Sequence, residues 1–480
     1  MDNIDSGTQF DFTYAPGTSM EQIIGFEMAG QIWSSYLNDD VTVRIHVEST
    51  NELPDDVVGA ALPGKKEEAK YDKVGESLSR DRSSDNDELA FNNLPLNDEK
   101  FKKFTVTVDG QPLDKTEKFR LTNANAKSLG FLNGDRDKLD GYILVNDLTG
   151  SSGVSWGYDA LRSDSIAGNE IDFLSMAMHE VGHILGFTSG IDDGGWLEVL
   201  TEAREEGEEL EDKDFEFASP LDLYRYSGSS EGIDLSIGND PYFSIDGGNT
   251  NLGNFANGEY TDLGGDGYQA SHWQQDSNQG IMNPILPVGN RRNISDVDLV
   301  AMDVIGWDLD TSGVSDWSQM YDTAVANAET ATVEDRSEDV EKLIKESDYD
   351  DGYDGRRRSR NSSYNPYAFQ IGYWQYSTIG QVDTPEVIPQ DNSSTQTANS
   401  DSVLSESNSE ESTSPSNTEN SDITGVSDES DSESSDSVFL ESESEESSDT
   451  DDDELDLTDE GNITGVSDDE LDEDSLFYTT

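Results

Sequence analysis

Apolar positions over the first two thirds of the chain form short periodic runs separated by polar stretches. Between 19 and 37, Ile23, Phe26, Gly30, Trp33 and Leu37 recur at helical spacing and predict an amphipathic helix. Val41–Val47 alternates with period two, as a half-buried strand does. That alternation puts His46 on the face shared with Thr42 and Arg44, expected to meet water. Phe104–Val108, closed by Asp109-Gly110, predicts another strand, and Tyr142–Val145 a more continuously apolar third. Leu121–Leu129 predicts a short helix, and the charged stretch 64–90 an excursion loop.

The clearest helix is Ile171–Phe187, with Asn169 to cap it, Asp172 three residues on to complete the box, and Gly186 or Gly190 to end it. Residues 197–214 are charged and read as a helical excursion, and 226–270, rich in Gly, Asn and Asp, as short strands and turns. A last helix is expected over Asp296–Ile305, capped by Ser295 and Asp298 and stopped by Gly306. Residues 311–380 are transitional: one helix around 315–346, then the basic run Arg356–Arg360 and an aromatic patch from Tyr364 to Tyr376.

Beyond Arg360 there is no Lys or Arg, and the last hundred residues are chiefly Ser, Asp, Glu, Thr and Asn. Such a segment buries too little apolar surface to offset its ordering entropy, so 381–480 is expected to be a disordered acidic tail. An echo within it, Ile423–Asp428 and Ile463–Asp468, is too short a series for a solenoid. The tail supplies much of the formal net charge of -75, from 104 acidic and 29 basic residues among 480. That balance argues against nucleic-acid binding. The absence of Cys removes disulfides and thiolate metal sites. No apolar run reaches the roughly 18–20 residues of a membrane span. The start Met1–Asp5 lacks a signal-peptide pattern. The chain is expected to divide into a globular 1–310, a partly helical connecting region 311–380 and the tail 381–480, and to work as a monomer outside the cell or at its surface.

The chemistry sits on the clearest helix. His179 and His183 are four residues apart, so both imidazoles leave one face and can meet one Zn²⁺ at ~2.0–2.1 Å. Glu180 is placed to reach a zinc-bound water, whose pKa falls to about 7, and to take its proton as it attacks a carbonyl. The chain has only four histidines, and two of them falling at ligand spacing around a Glu is not easily a coincidence.

A catalytic zinc takes a third protein ligand. Three residues after Gly186 stands Ser189, a poor ligand. His46 is assigned to a solvated strand face, which leaves His272, in Ala270-Ser271-His272-Trp273. Glu198 or Glu202 on the charged excursion is the competing choice, though that stretch reads more simply as a solvated face.

His179–Gly186, followed after a long insertion by Ser271-His272-Trp273 and then Gly280-Ile281-Met282, resembles metzincin zinc proteases, in particular the leishmanolysin-like group and related bacterial exoproteases. The match runs over roughly 169–307. The resemblance implies an α+β, zincin-like catalytic domain with a twisted sheet and an active-site helix. It implies His179, His183 and His272 as zinc ligands and Glu180 as the base. Gly186 would be the turn glycine and Met282 the methionine of the turn beneath the metal. The implied reaction is hydrolysis of peptide bonds in a protein or peptide substrate.

Tyr142–Val145 would be either the edge along which such a substrate lies or a plain core strand. The loops Asp246–Asn249 and Gly264–Gly267 could offer oxygens to Ca²⁺, and hairpin turns account for them equally well. The arginine run reads as a docking or processing site. A different class of function, a non-catalytic zinc-containing surface or cation-binding protein, would have no need of a base at Glu180.

Overall fold

A computed structural model of the chain describes residues 7–95, 105–113, 118–347 and 374–379, apart from 152, 193, 208, 211–217, 230–231, 276–278 and 311–315. The arginine run, the acidic tail and its internal echo lie outside the described residues. What is described is a mixed α and β fold with several sheets.

The chain opens with β1 (Gln9–Tyr14), α1 (Met20–Ser34), β2 (Thr42–Thr50) and β3 (Val57–Pro63). Helix α1 starts in a capping box between Ser19 and Gln22. The stretch expected to be a loop is ordered instead: β4 (Lys65–Lys70), α2 (Tyr71–Asp81) and α3 (Asp85–Asn92). Tyr71, Val74 and Leu78 lie at helical spacing and are buried along one side of α2. The charges on its other side had hidden that stripe. Next come β5 (Val106–Val108), β6 (Gln111–Leu113), β7 (Lys118–Thr122), α4 (Asn123–Ser128) and β8 (Gly141–Asn146).

Two short strands, β9 (Ser155–Gly157) and β10 (Glu170–Asp172), precede α5 (Phe173–Leu185). The cap of α5 is Asp172 itself, which accepts from the Ser175 amide at 3.0 Å and the Ser175 hydroxyl at 2.6 Å, not Asn169. Residues 170–172 are extended because they pair with β9. Helix α6 (Gly194–Glu206) is followed by four two-residue strands: β11 (Arg225–Tyr226), β12 (Ile233–Asp234), β13 (Tyr242–Phe243) and β14 (Gly253–Asn254). Then come β15 (Ile285–Leu286) and α7 (Asp296–Val304), whose capping box joins Ser295 and Asp298 as expected. The helix expected around 315–346 is two, α8 (Trp317–Thr330) and α9 (Ser337–Glu346), parted by β16 (Thr332–Val333). The last described element is β17 (Gln375–Ile379).

The principal sheet runs β15-β17-β3-β8-β2-β1-β16. Strands β1, β2 and β8 are parallel, and β3 is antiparallel to β8. Tyr142–Val145 therefore lies inside the sheet, between β2 and β3, and is not an edge. The same placement corrects His46. Its strand is central, with both faces covered, so the ring is buried, hydrogen-bonded to Thr13 Oγ1 at 2.9 Å and stacked on Tyr142. Burial pushes its pKa down to about 4.

Helices α1 and α5 pack together on one face of the sheet. Phe26 meets Phe173 edge-on, and the Trp33 indole donates to the Met178 carbonyl at 3.0 Å. On the other face a second apolar cluster joins Leu62, Tyr142 and Leu144 to Val340, Leu343 and Trp374. A buried ion pair joins Lys127 on α4 to Asp140, just before β8, at 2.5 Å, and Lys127 also donates to the Thr42 carbonyl.

Candidate metal centre

The final turns of α5 carry His179, Glu180 and His183, all fully buried. Trp33 and Trp307 fix the helix by donating to its Met178 and Leu185 carbonyls. Gly186 ends it with φ at 126°, which a side chain would strain. The reversal it allows brings the Phe187 carbonyl back to His183 Nδ1, 2.7 Å away.

His272 arrives from the Gly-, Asn- and Asp-rich region. Its neighbour Trp273 anchors it, stacked on Phe255 and edge-on to Phe187. The backbone continues the anchoring: Ala256 donates to the His272 carbonyl, and Trp273 to the Met282 carbonyl.

The three Nε2 atoms converge, at 3.1 Å for His179–His183 and 3.2 Å for both pairs with His272. Each Nδ1 faces a backbone carbonyl: Ile281 for His179 at 2.7 Å, Phe187 for His183 at 2.7 Å, and Gln269 for His272 at 3.2 Å. A carbonyl only accepts, so each Nδ1 carries the ring proton and each Nε2 presents a bare lone pair. Three lone pairs facing one another with no hydrogen between them repel, and a cation among them removes that repulsion. Tetrahedral ligation at ~2.0–2.1 Å sets ligand atoms about 3.3–3.4 Å apart, within a few tenths of an ångström of these separations. Burial also disfavours the imidazolium forms. It holds His179 at about 4 and His183 and His272 well below the ordinary histidine value, so the rings are neutral at pH 7. The triad is thus a group that can hold a metal ion.

Met282 lies against the helix between the turns of His179 and His183. Gly182 makes room for it, since a Cβ there would overlap the Met282 sulfur. The turn that carries Met282 hangs on Asp298. Besides capping α7, this buried carboxylate accepts from the Trp273 indole at 2.7 Å, the Ile281 amide at 2.8 Å and the Met282 amide at 3.3 Å. The sequence pattern showed Asp298 only as a cap.

Glu180 points to the sheet. Gly59 on β3 leaves space for it, because a Cβ there would sit 2.7 Å from Oε1 and 2.8 Å from the Met176 sulfur. Ser377 Oγ on β17 donates to Oε1 at 2.6 Å, while Oε2 is buried with no hydrogen-bond partner among the described residues. Burial pushes the Glu180 carboxyl up to about 8, against hydrogen bonds from Ser377 and the Ala61 backbone. Neither Gly59 nor Ser377 carries a motif that would have marked it.

A cleft of about 660 Å³ opens beside the triad, lined in part by Asp55, Asp56, Asp266, His272, Tyr376 and Thr378. Ser189 is committed elsewhere, donating to Asp222 at 2.6 Å. Glu202 is exposed on α6, and the Glu198 side chain lies outside the described residues. In the two loops weighed for Ca²⁺, Asp246 accepts from Ser244, Asn249 and Thr250, and Asp266 from the Asn257 and Tyr268 amides. Among the described residues one further group of three has metal-ligating spacing: Asp39, Asp81 and Asp308. No helix among the described residues is long and apolar enough to cross a membrane.

These features define a mixed α and β protein with a buried three-histidine group able to hold a metal and a carboxylate one residue from its first histidine. No protein-family model matches the sequence, and neither a curated protein nor a solved structure does.

Proposed function

We propose that the chain is a zinc-dependent endopeptidase with a metzincin-like centre, ligated by His179, His183 and His272. The observation that carries the reading is the convergence of three unprotonated Nε2 atoms, each ring fixed by a carbonyl, beside the carboxylate of Glu180 on the same helix. Three neutral histidines would suit a borderline-soft divalent ion. Zinc in such a site supplies Lewis acidity and lowers the pKa of a water to about 7.

The chain's own groups do the rest. Ionised beside a bound cation, whose charge offsets the burial that raises its pKa, Glu180 would take the proton of the attacking water through Oε2 and return it to the leaving amine. Met282 and Gly182 set the floor of the site, and the carbonyls of Ile281, Phe187 and Gln269 hold the ring tautomers. All four principal groups come from one chain, so a monomer suffices. Asp55 and Asp56 on the rim favour substrates with basic side chains near the cleaved bond.

A second reading, a structural metal site, is favoured by one observation: the three histidines and Glu180 are all fully buried. Glu180 separates the two. Purified chain is expected to bind one zinc and to cleave an unstructured protein such as casein, and Glu180→Gln is expected to keep the zinc and lose the cleavage. Cleavage unchanged in Glu180→Gln rejects the peptidase.

A further inference from the structure

Hydrolysis of a polypeptide requires a peptide bond to reach groups that are buried here, and the element over Glu180 is β17. It lies as an added strand between β3 and β15. On one side it pairs antiparallel with β3, Gln375 opposite Ala61 and Ser377 opposite Gly59. On the other it follows β15, just beyond the Met282 turn, where Thr378 donates to the Pro284 carbonyl at 2.9 Å. The Gln269 side chain grips its backbone at two points, donating to the Trp374 carbonyl at 2.8 Å and accepting from the Tyr376 amide at 3.1 Å. Ser271, next to His272, donates to the Gln375 side chain, and Ser377 donates to Glu180. The register slips between Ser377 and Thr378, beside Glu180.

An extended segment held by main-chain hydrogen bonds on both edges, with alternate side chains pointing into a site, is how a sheet edge binds a peptide. We infer that the strip between β3 and β15 is the peptide slot of this chain and that Gln375–Ile379 is its intramolecular occupant, which excludes substrate from Glu180 and the histidines. The inference rests on the peptidase reading for its consequence, not for its geometry. Trp374, buried against Tyr142 on the far face of the sheet, anchors one end of the occupant. Residues 348–373 join it to α9, a length of chain able to span up to roughly 90 Å when extended. That is enough for the strand to leave the slot without unfolding the body.

The absence of cysteine permits a direct test in the full chain. Ala60 and Tyr376 are paired across β3 and β17, on the face turned away from Glu180. The double variant Ala60→Cys/Tyr376→Cys locks the strand when oxidised, and a phosphine reductant removes the lock. Thr378→Pro with Trp374→Ala releases it, by removing the amide given to Pro284 and the anchor.

Two quantities are read on zinc-loaded protein: cleavage of casein, and anisotropy of a fluorescent peptide of residues 373–380, the latter in a Glu180→Gln background. A slot open less than about a tenth of the time lowers apparent affinity at least tenfold. The released chain is therefore expected to bind the peptide and cleave at least tenfold faster, and the locked chain to do neither until reduced. A locked chain that binds peptide or cleaves as well as the reduced one overturns the inference, as does a released, folded chain that binds no peptide. Peptide bound by the released chain without any casein cleavage supports the occupied slot and counts only against the peptidase.

Discussion

Replacing Asp298 by Asn would test whether one carboxylate holds the three-histidine group together. Its two oxygens accept five hydrogen bonds. Trp273 Nε1 and the Met282 amide meet Oδ1, and the Ile281 amide, the Ser295 amide and the Ser295 hydroxyl meet Oδ2. An amide group keeps the shape but turns its NH₂ toward one of these sets, whichever way it is placed. At least two N–H donors then face another donor inside the protein. Each buried, unsatisfied group costs about 1–3 kcal/mol, and the Ser295 hydroxyl can rotate to accept, so the expected loss is about 2–4 kcal/mol.

The damage should not stay local, because the Ile281 carbonyl held by this turn is the acceptor for His179 Nδ1. Loss of such a support typically lowers metal affinity about 10–100-fold. Urea denaturation of the metal-free chain gives the first number, and zinc competition with a chromophoric chelator gives the second. Ser295→Ala is the control. It removes only a cap hydroxyl, should cost about 1 kcal/mol, and should leave zinc affinity unchanged. Stability within about 1 kcal/mol of the parent in Asp298→Asn, with unaltered zinc binding, would mean that Asp298 does not hold the turn.

Other expectations follow from the same contacts. Gly182→Ala drives a Cβ into the Met282 sulfur and should cost about 1–3 kcal/mol, measured as a lower urea midpoint. Asp140→Ala strands the Lys127 ammonium inside the protein and should cost about 3–5 kcal/mol, whereas the paired change Lys127→Met with Asp140→Leu should recover most of that loss. Burial raises the Asp39 carboxyl to about 7 and that of Asp81 to about 8, from an ordinary 3.8. Both therefore hold protons more tightly folded than unfolded. Their penalty is fully present above about pH 8 and is relieved as pH falls through 8 and 7 toward 4. Asp81→Asn should accordingly raise the melting temperature at pH 8.5 and change it little at pH 4.5, by calorimetry. His272→Ala should reduce bound zinc from one equivalent to under about a tenth, while Glu202→Ala, on an exposed face, should leave it unchanged.

Much of this site could be read from residue order because its chemistry is local. Two histidines a helical turn apart and a glutamate between them depend only on the geometry of one helix, and α5 carries them as expected. His272 needed more, since it lies about ninety residues on, and only a scarcity of histidines and the following Met282 singled it out. What could not be read was long-range. Ser377 reaches Glu180 across 197 positions, Gly59 matters only because a carboxylate packs over it, and Asp298 looks like any helix cap until Trp273 and Ile281 arrive beside it. His46 went wrong for a related reason. Alternation tells which residues share a face, but only the position of the strand within the sheet tells whether that face meets water. The helices hidden in 64–90 show the complementary limit, where a narrow apolar stripe in α2 was masked by its charged neighbours.

The proposal turns on Glu180 acting on a substrate beside a metal held by three histidines. Its most direct test is casein hydrolysis by the released Thr378→Pro/Trp374→Ala chain, with and without Glu180→Gln, and zinc counted in both proteins by mass spectrometry. One zinc per chain in each, with cleavage falling at least about a hundredfold on loss of the carboxylate, is the predicted result. Equal cleavage in the two, or a chain that binds no zinc at all, would contradict it.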